Sequence, residues 1–212
     1  MHVPHSPSSI TSPLIFSGVH AVGLLGCTGE SACTVLVCGR SAVIVCESER
    51  LLLRHLDARN DAAFILRLLN EPSFIANIAD RGVRTLDDAS RYIESGPRAM
   101  YAKHGVGLLR TELKDTHEPI GICGLIKRDW LVDADVGFAF LPEFWSKGYA
   151  FESAAAVMEW GRVHGGITRV VGITSAANVG SQRVLEKLGM RFARIVRSPE
   201  GQESHLFTPD GT

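Results

Sequence analysis

The sequence lacks a charge excess of either sign. Its 22 lysines and arginines are nearly balanced by 23 aspartates and glutamates, which gives a formal net charge of −1. The basic side chains are scattered and form no run. We therefore expect no nucleic-acid partner.

Long apolar runs are also missing. No run reaches the roughly 20 residues that a helix needs to cross a bilayer. The N-terminus has no basic segment followed by an apolar one, as a secretory signal would have. Charged residues make up 21% and hydrophobic residues 45% of the chain, which is typical of a globular protein. These features predict a cytoplasmic protein with no membrane partner.

Cysteine is scarce outside the first 46 residues. That opening segment holds Cys27, Cys33, Cys38 and Cys46, at spacings that match no zinc pattern, and the rest of the chain holds only Cys123. This usage is typical of a reducing compartment. The chain contains no His-Glu-x-x-His or Cys-x-x-Cys, so we predict no metal. It also contains no Gly-x-Ser-x-Gly, which argues against an acyl-enzyme hydrolase.

The chain changes character near residue 48. Residues 1–46 carry only two charged side chains, Glu30 and Arg40, and are rich in Ser, Gly, Pro and Val. Within them, the apolar runs 34–38 and 42–46 fit short strands or an apolar stretch that does not fold. We predict that residues 1–47 are a poorly ordered N-terminal extension and that residues 48–212 form one domain.

From residue 49 onward, a regular pattern of strands and helices is predicted. Thr85 and Asp88 form a capping-box-like pair, and Gly189 stands where a left-handed residue closes a helix, with Met190 packing back on Leu185. The predicted elements are a strand at 51–56, a helix from a cap at Asp57 to Leu69 that Glu71-Pro72 ends, a helix from Thr85, strands at 106–113, 120–127 and 135–141, a helix at 148–164, a strand at 169–174, a helix at 178–188, and strands at 191–196 and 205–207. This order predicts an α/β (mixed α+β) domain with a mixed sheet and helices on both faces.

The most informative segment runs from Phe140 to Ala150, where a strand leads into a helix. The start of a helix offers unpaired N–H groups and the positive end of the helix dipole, which suit an anion. Gly148 and the small Ala150 allow a phosphate to approach the backbone, and Lys147 adds a positive charge. The pattern predicts a phosphate-binding loop; the alternative is an ordinary connection between strand and helix.

Three motifs in this order resemble those of the GNAT acetyltransferase superfamily. The segment 145–150, Trp-Ser-Lys-Gly-Tyr-Ala, resembles its acetyl-CoA loop, with Trp145 in place of the usual Gln or Arg. Residues 178–190 and 135–138 resemble the Asn-x-x-Ser-x-x-x-Leu-Glu-Lys-Leu-Gly helix and the acidic-aliphatic-Gly-aromatic strand of the ribosomal-protein N-acetyltransferase (RimJ/RimL-like) branch. Ser146 stands where that branch has Gly. The resemblance covers residues 49–207 and implies a mostly antiparallel GNAT-type sheet.

The resemblance implies acetyl-CoA as co-substrate and a set of residues that bind it. The pantetheine arm would lie along the strand, the pyrophosphate would sit on the N–H groups of the loop, and the side chain of Asn178 would contact the pantetheine. The implied residues are Phe138, Ala139, Phe140 and Leu141 on the strand, Trp145, Ser146, Lys147, Gly148, Tyr149 and Ala150 in the loop, and Asn178 and Arg183 on the following helix. Lys187 is an alternative to Arg183 for the adenosine phosphates, and both also fit ordinary solvated helix charges.

Two residues are candidates for catalysis. Asp135 is the first choice to accept the amine proton, ahead of Asp133 and Glu143; a solvated acid at a strand end is the alternative. Many GNAT enzymes place a Tyr seven residues after the Asn to protonate the departing sulfur, and here that position is Leu185. Ser181 follows Asn178 by one helical turn, so we predict that it faces the thiolate. The alternative for Ser181 is a helix cap.

The sequence therefore predicts an N-acetyltransferase that moves an acetyl group directly to a primary amine. A strand N–H would polarise the thioester carbonyl. The alternative is a non-catalytic CoA-binding or interaction module on the same fold. The acceptor is a small molecule or a protein N-terminus, and the protein is expected to be a monomer or a homodimer.

Overall fold

A computed structural model describes residues 43–212 of the chain. Within them lie eight strands and six α-helices. The strands are β1 Ile44–Glu47, β2 Leu51–Arg54, β3 Leu108–Leu113, β4 Pro119–Ile126, β5 Ala134–Phe140, β6 Val170–Thr174, β7 Arg191–Arg197 and β8 Glu203–Thr208. The helices are α1 Ala62–Asn70, α2 Pro72–Asn77, α3 Leu86–Ile93, α4 Ala99–His104, α5 Tyr149–His164 and α6 Val179–Lys187. A π-helical turn, Glu94–Arg98, joins α3 to α4, and a 3-10 turn, Pro142–Phe144, follows β5.

The strands form one sheet in the order β1-β2-β3-β4-β5-β6-β8-β7. Every neighbouring pair is antiparallel except β5 with β6, which are parallel. Among the eight described strands, the one parallel pair therefore lies inside the sheet. This confirms the predicted mixed, mostly antiparallel sheet.

Helices cover both faces of the sheet. Successive side chains of a strand point to opposite faces, so Ile122 and Cys123 of β4 mark the two sides. Cys123 packs with Ala154 and Val157 of α5, whereas Ile122 packs with the buried side chains of α1 and α3. These two apolar layers confirm the predicted arrangement of helices.

The helix ends show where local patterns were sufficient and where they were not. Thr85 and Asp88 form the predicted capping box. Gly189 has φ +85°, and the Met190 N–H donates to the Leu185 carbonyl oxygen at 3.0 Å, which is the predicted Schellman closure.

The predicted cap of the first helix was wrong. The Asp57 carboxylate accepts the N–H groups of Arg59 and Asn60 in a turn, and α1 begins only after Asp61. As predicted, the helix ends before Pro72. Pro72 also occupies the first turn of the next helix, α2.

Part of the expected N-terminal extension belongs to the sheet. Strand β1 pairs with β2, and Val45 and Cys46 pack against the core. The prediction for residues 1–42, including the candidate strand at 34–38, lies outside the described residues. The predicted boundary after residue 47 stays a prediction, because residues 1–42 are not described. Strand β1, Ile44–Glu47, lies on the N-terminal side of that boundary.

None of the helices in the described part of the chain is long and apolar enough to cross a membrane.

Candidate active site

The central strands β5 and β6 separate soon after they meet. Their parallel pairing covers only Ala134 with Val170 and Asp135 with Val171. β5 continues to Phe140 and stays paired with β4 from Asp135 to Phe140. The sheet therefore opens into a gap beside the second half of β5.

Backbone groups of β5 face this gap. Phe140 lies opposite Gly121 of β4, and the Leu141 N–H donates to the Ile120 carbonyl oxygen at 3.0 Å. In an antiparallel ladder this bond flanks a non-hydrogen-bonded pair, so the N–H and C=O of Phe140 point away from β4. Because the ladder alternates, those of Phe138 do the same. Both residues thus offer backbone donors and acceptors to the gap.

Trp145 ties the following loop to the end of β5. Its indole N–H donates to the Phe140 carbonyl oxygen at 2.7 Å. Trp145 as a whole is 48% exposed, so this bond does not bury the residue. The bond fixes the start of the loop beside the gap.

The loop has a backbone shape that suits an anion. Ser146 has φ +60° and Gly148 has φ +84°, both in the left-handed region. Left-handed residues in a tight turn direct neighbouring N–H groups into one concavity. Helix α5 begins at Tyr149, and no side chain caps its first N–H groups. The loop and the helix start therefore supply donors for a phosphate group.

A first cleft of about 550 Å³ lies between this loop, the end of β5 and helix α6. Ten of the residues predicted to bind the cofactor line it: Phe138, Ala139, Phe140, Trp145, Ser146, Gly148, Tyr149, Ala150, Asn178 and Arg183. The other two do not. Leu141 is buried among the apolar side chains of α1 and α3. The Lys147 ammonium lies over the Phe144 ring, 5.2 Å from its centroid.

A second cleft of about 340 Å³ adjoins the first. Phe138, Ala139, Asn178 and Ser181 line both clefts, so the two are continuous. The charged residues that line the second cleft are Arg81, Arg128, Asp135 and Glu200. A molecule in each cleft would meet its neighbour beside Phe138 and Ser181.

Asp135 is 1% exposed and lies in the last pair of residues before β5 and β6 separate. Its Oδ2 accepts the Arg128 Nε–H and lies 2.8 Å from the Arg128 Nη2. Its Oδ1 accepts the Ile173 N–H of β6 at 3.3 Å. Burial raises the pKa of Asp135, and Arg128 opposes this. Since a carboxylate oxygen has two lone pairs, Oδ1 retains room for a proton.

Ser181 and Asn178 lie at the start of α6. The Asn178 Oδ1 accepts the Ser181 N–H at 3.0 Å, so the Asn178 side chain is a helix cap, and its amide NH₂ and one lone pair of Oδ1 remain for a ligand. Within residues 43–212 the Ser181 hydroxyl has no hydrogen-bond partner. The cap thus uses the backbone of Ser181 and leaves its hydroxyl available to the clefts.

The weaker candidates for the proton acceptor lie elsewhere. Asp133 pairs with Arg169, Glu143 pairs with Arg67, and neither lines a cleft. In the described part of the chain, no three His, Cys, Asp or Glu side chains lie close enough together to hold a metal ion.

Sequence reasoning missed Arg128 and Glu200. Arg128 follows β4 and Glu200 lies in the turn between β7 and β8, so only folding brings them together. A hydrogen bond from Ser198 lowers the pKa of Glu200, and the Arg128 charge adds to this. The only local signal for Arg128 is its place in a pair of basic residues, Lys127-Arg128, that follows the buried strand β4.

Comparison with known proteins gives one family for the chain. The model of the acetyltransferase (GNAT) domain matches residues 50–191, well over half of the chain. The uncharacterized N-acetyltransferase YnaD of Bacillus subtilis is 27% identical over 158 residues, which cover 74% of this chain and 89% of YnaD.

Solved structures share the fold. The ribosomal L7/L12 α-N-protein acetyltransferase RimL, solved in complex with coenzyme A, superposes with a TM-score of 0.68 at 15% identity, over 78% of this chain and 97% of that one. RimJ of Mycobacterium smegmatis, in complex with CoA-disulfide, gives 0.62 at 18% identity, over 76% and 82%.

Proposed function

The chain belongs to the acetyltransferase (GNAT) family, and from this premise we propose that it moves the acetyl group of acetyl-CoA directly to a primary amine. Membership in the family makes it an acetyl-CoA-dependent acyltransferase. The observation that carries the proposal is the gap beside β5, which opens directly onto the loop with the left-handed Ser146 and Gly148.

The first cleft is the proposed site of acetyl-CoA. The pyrophosphate of acetyl-CoA would accept hydrogen bonds from the N–H groups of the loop and of the first turn of α5. Its pantetheine amides would bond the backbone groups of Phe138 and Phe140 as an added strand would. The Trp145 indole already holds the Phe140 carbonyl oxygen, so Phe138 is the proposed main acceptor for the arm. Two structural neighbours, RimL and RimJ, were solved with CoA, which supports this assignment.

The second cleft is the proposed site of the amine. The neutral amine nitrogen would attack the thioester carbonyl carbon, forming the C–N bond while the C–S bond breaks. A backbone N–H of β5 would stabilise the negative charge that develops on the carbonyl oxygen. The amine proton would pass to Asp135, and the Ser181 hydroxyl would hydrogen-bond the departing thiolate. Ser181 lines both clefts, as this role requires.

The pH dependence tests the role of Asp135. A base must be deprotonated to act, so kcat/KM should rise with pH through the pKa of Asp135. Because burial raises that pKa, this limb should lie above the usual range of an aspartate. Asp135→Asn keeps an acceptor for the Ile173 N–H but removes the base. The variant should lose the limb and most of kcat; an unchanged profile would assign the base elsewhere.

A screen of amines tests the function itself. RimL is described as an acetyltransferase of a ribosomal protein N-terminus, so peptides with free N-termini form one arm of the screen and small amines the other. The readout is free CoA released from acetyl-CoA. We expect release that depends on one class of amine. Binding of acetyl-CoA with no release from any amine would favour a non-catalytic CoA-binding module instead.

A further inference from the structure

The carboxylate of Glu152 joins the first turn of α5 to the turn between β1 and β2. Its Oε1 accepts the Ser48 hydroxyl at 2.7 Å and the Arg50 backbone N–H at 2.8 Å. Its Oε2 accepts the Arg50 Nε–H at 2.7 Å and lies 2.6 Å from the Arg50 Nη2. Burial alone would raise the pKa of Glu152, but the bonds from Ser48 and Arg50 outweigh it and hold the pKa below its usual value. The carboxylate therefore stays charged and fully bonded.

Arg50 also contacts Lys147 and Tyr149, which flank Gly148 in the loop proposed to bind phosphate. Its Nη2 donates to the Lys147 carbonyl oxygen at 3.1 Å. Its guanidinium lies over the Tyr149 ring, 4.5 Å from the centroid. The same Nη2 would lie 3.4 Å from a Cβ placed on Gly148. Arg50 thus holds the residues on both sides of Gly148.

The bond to Lys147 sets the direction of an N–H group. In a trans peptide the C=O and the next N–H point in opposite directions. Because the Lys147 carbonyl oxygen points to Arg50, the Gly148 N–H points away from Arg50. Gly148 lines the first cleft, and Arg50 does not. Arg50 therefore acts on this loop from the side opposite to the cleft.

We propose that Arg50, held by Glu152, is a positioning residue for acetyl-CoA: it fixes the Lys147–Gly148 peptide so that the loop N–H groups are set for the pyrophosphate before binding. This rests on the proposed function, because it assumes that acetyl-CoA occupies the first cleft. The loop needs such support, since two left-handed residues interrupt it and no side chain caps α5. Contacts with the β1–β2 turn order this loop before binding, so that acetyl-CoA binding loses less conformational entropy.

Calorimetry with acetyl-CoA tests this on the full-length chain and on Arg50→Gln, Arg50→Lys and Glu152→Gln. Loss of one charge-assisted hydrogen bond corresponds to about a tenfold change in Kd. We expect each variant to bind about tenfold more weakly, because each loses part of the support. Arg50→Gln combined with Glu152→Gln should bind no more weakly than either single variant, since the two residues act as a unit. Glu159→Gln, on the exposed face of the same helix, is the matched control and should bind as the wild type does.

Glu152→Gln also separates positioning from direct contact with the phosphates. If Arg50 touched the anion itself, removal of Glu152 would leave its charge uncompensated and acetyl-CoA would bind more tightly. Tighter binding by Glu152→Gln, or wild-type affinity of Arg50→Gln, would overturn the proposal. Titrations well below each melting temperature keep unfolding out of the comparison, and if Arg50→Gln does not fold, Arg50→Lys and Glu152→Gln carry the test. If the wild type itself fails to bind acetyl-CoA, the proposed function fails first.

Discussion

Replacement of Asp61 by asparagine should destabilise this protein strongly. Asp61 is fully buried, and four bonds reach its carboxylate. Its Oδ1 accepts from Arg54 at 2.8 Å and from Arg110 at 2.6 Å, and its Oδ2 accepts from Arg54 at 3.0 Å and from the Asp57 N–H at 2.8 Å. The variant would leave two nearly buried guanidinium groups with Glu112 as their remaining carboxylate.

The magnitude follows from the burial of this cluster. Removal of one partner from a buried ion pair costs roughly 3–5 kcal/mol. In a domain of this size, 1 kcal/mol shifts the melting temperature by roughly 2–4 °C, so Asp61→Asn should lower it by roughly 6–20 °C. Urea unfolding measures the free energy directly. Glu159→Gln removes a carboxylate from a pair in which both side chains are 62% exposed, and it should leave the unfolding curve nearly unchanged.

The effect of Asp61→Asn should also depend on pH. Burial alone would raise the pKa of Asp61, but the bonds from Arg54, Asp57 and Arg110 outweigh it and hold the pKa below its usual value. A carboxyl with a lowered folded-state pKa stabilises the protein above its unfolded pKa and loses that contribution as pH falls through the folded pKa. The difference between wild type and variant should therefore be full near neutral pH and shrink in acid. A difference below about 1 kcal/mol at neutral pH would refute the buried-cluster argument.

Two further predictions concern the clefts and the sheet edge. Ser181→Ala should lower kcat about tenfold with little change in acetyl-CoA affinity, because its hydroxyl is proposed to bond only the departing thiolate. An unchanged kcat with a lower melting temperature would make Ser181 a structural residue. A chain that starts at Val43 keeps β1 and should bind acetyl-CoA as the full chain does. One that starts at Ser48 loses β1, which pairs with β2 and packs on α5, and should melt several degrees lower. Equal melting temperatures of the two would show that β1 adds no stability.

Much of the fold was predictable because its signals are local. The capping box at Thr85 and the closure at Gly189 each depend on residues within five positions of one another, so the sequence places them correctly. The turn into α5 was predictable for the same reason, since Gly148 directly precedes the helix start at Tyr149, whereas phosphate binding by this loop stays a prediction. The left-handed Ser146 was not, because a serine gives no sign of a positive φ.

The errors and omissions concern partners that are distant in sequence. Asp57 was predicted as the cap by residue type, but α1 begins only after Asp61, whose carboxylate binds Arg54 and also Arg110, which lies 49 residues after it. Arg50 and Glu152 are 102 residues apart, and no pattern on either segment indicates that they meet. β1 was assigned to the extension because it shares the composition of residues 1–46, although its pairing with β2 places it in the sheet.

The most direct test of the account is a calorimetric titration of acetyl-CoA into the wild type and Gly148→Glu. Gly148 has φ +84°, and a Cβ there would lie 3.4 Å from the Arg50 Nη2. A glutamate would therefore strain the turn and place a second carboxylate beside Arg50, which would displace the loop N–H groups proposed to bind the pyrophosphate. Gly96→Glu adds the same charge where a Cβ would meet nothing within 4 Å, and it serves as the control. We predict binding in the micromolar range, about −8 kcal/mol, for the wild type and the control, and none for Gly148→Glu. Equal affinity of Gly148→Glu and the wild type would contradict the assignment of this loop to acetyl-CoA.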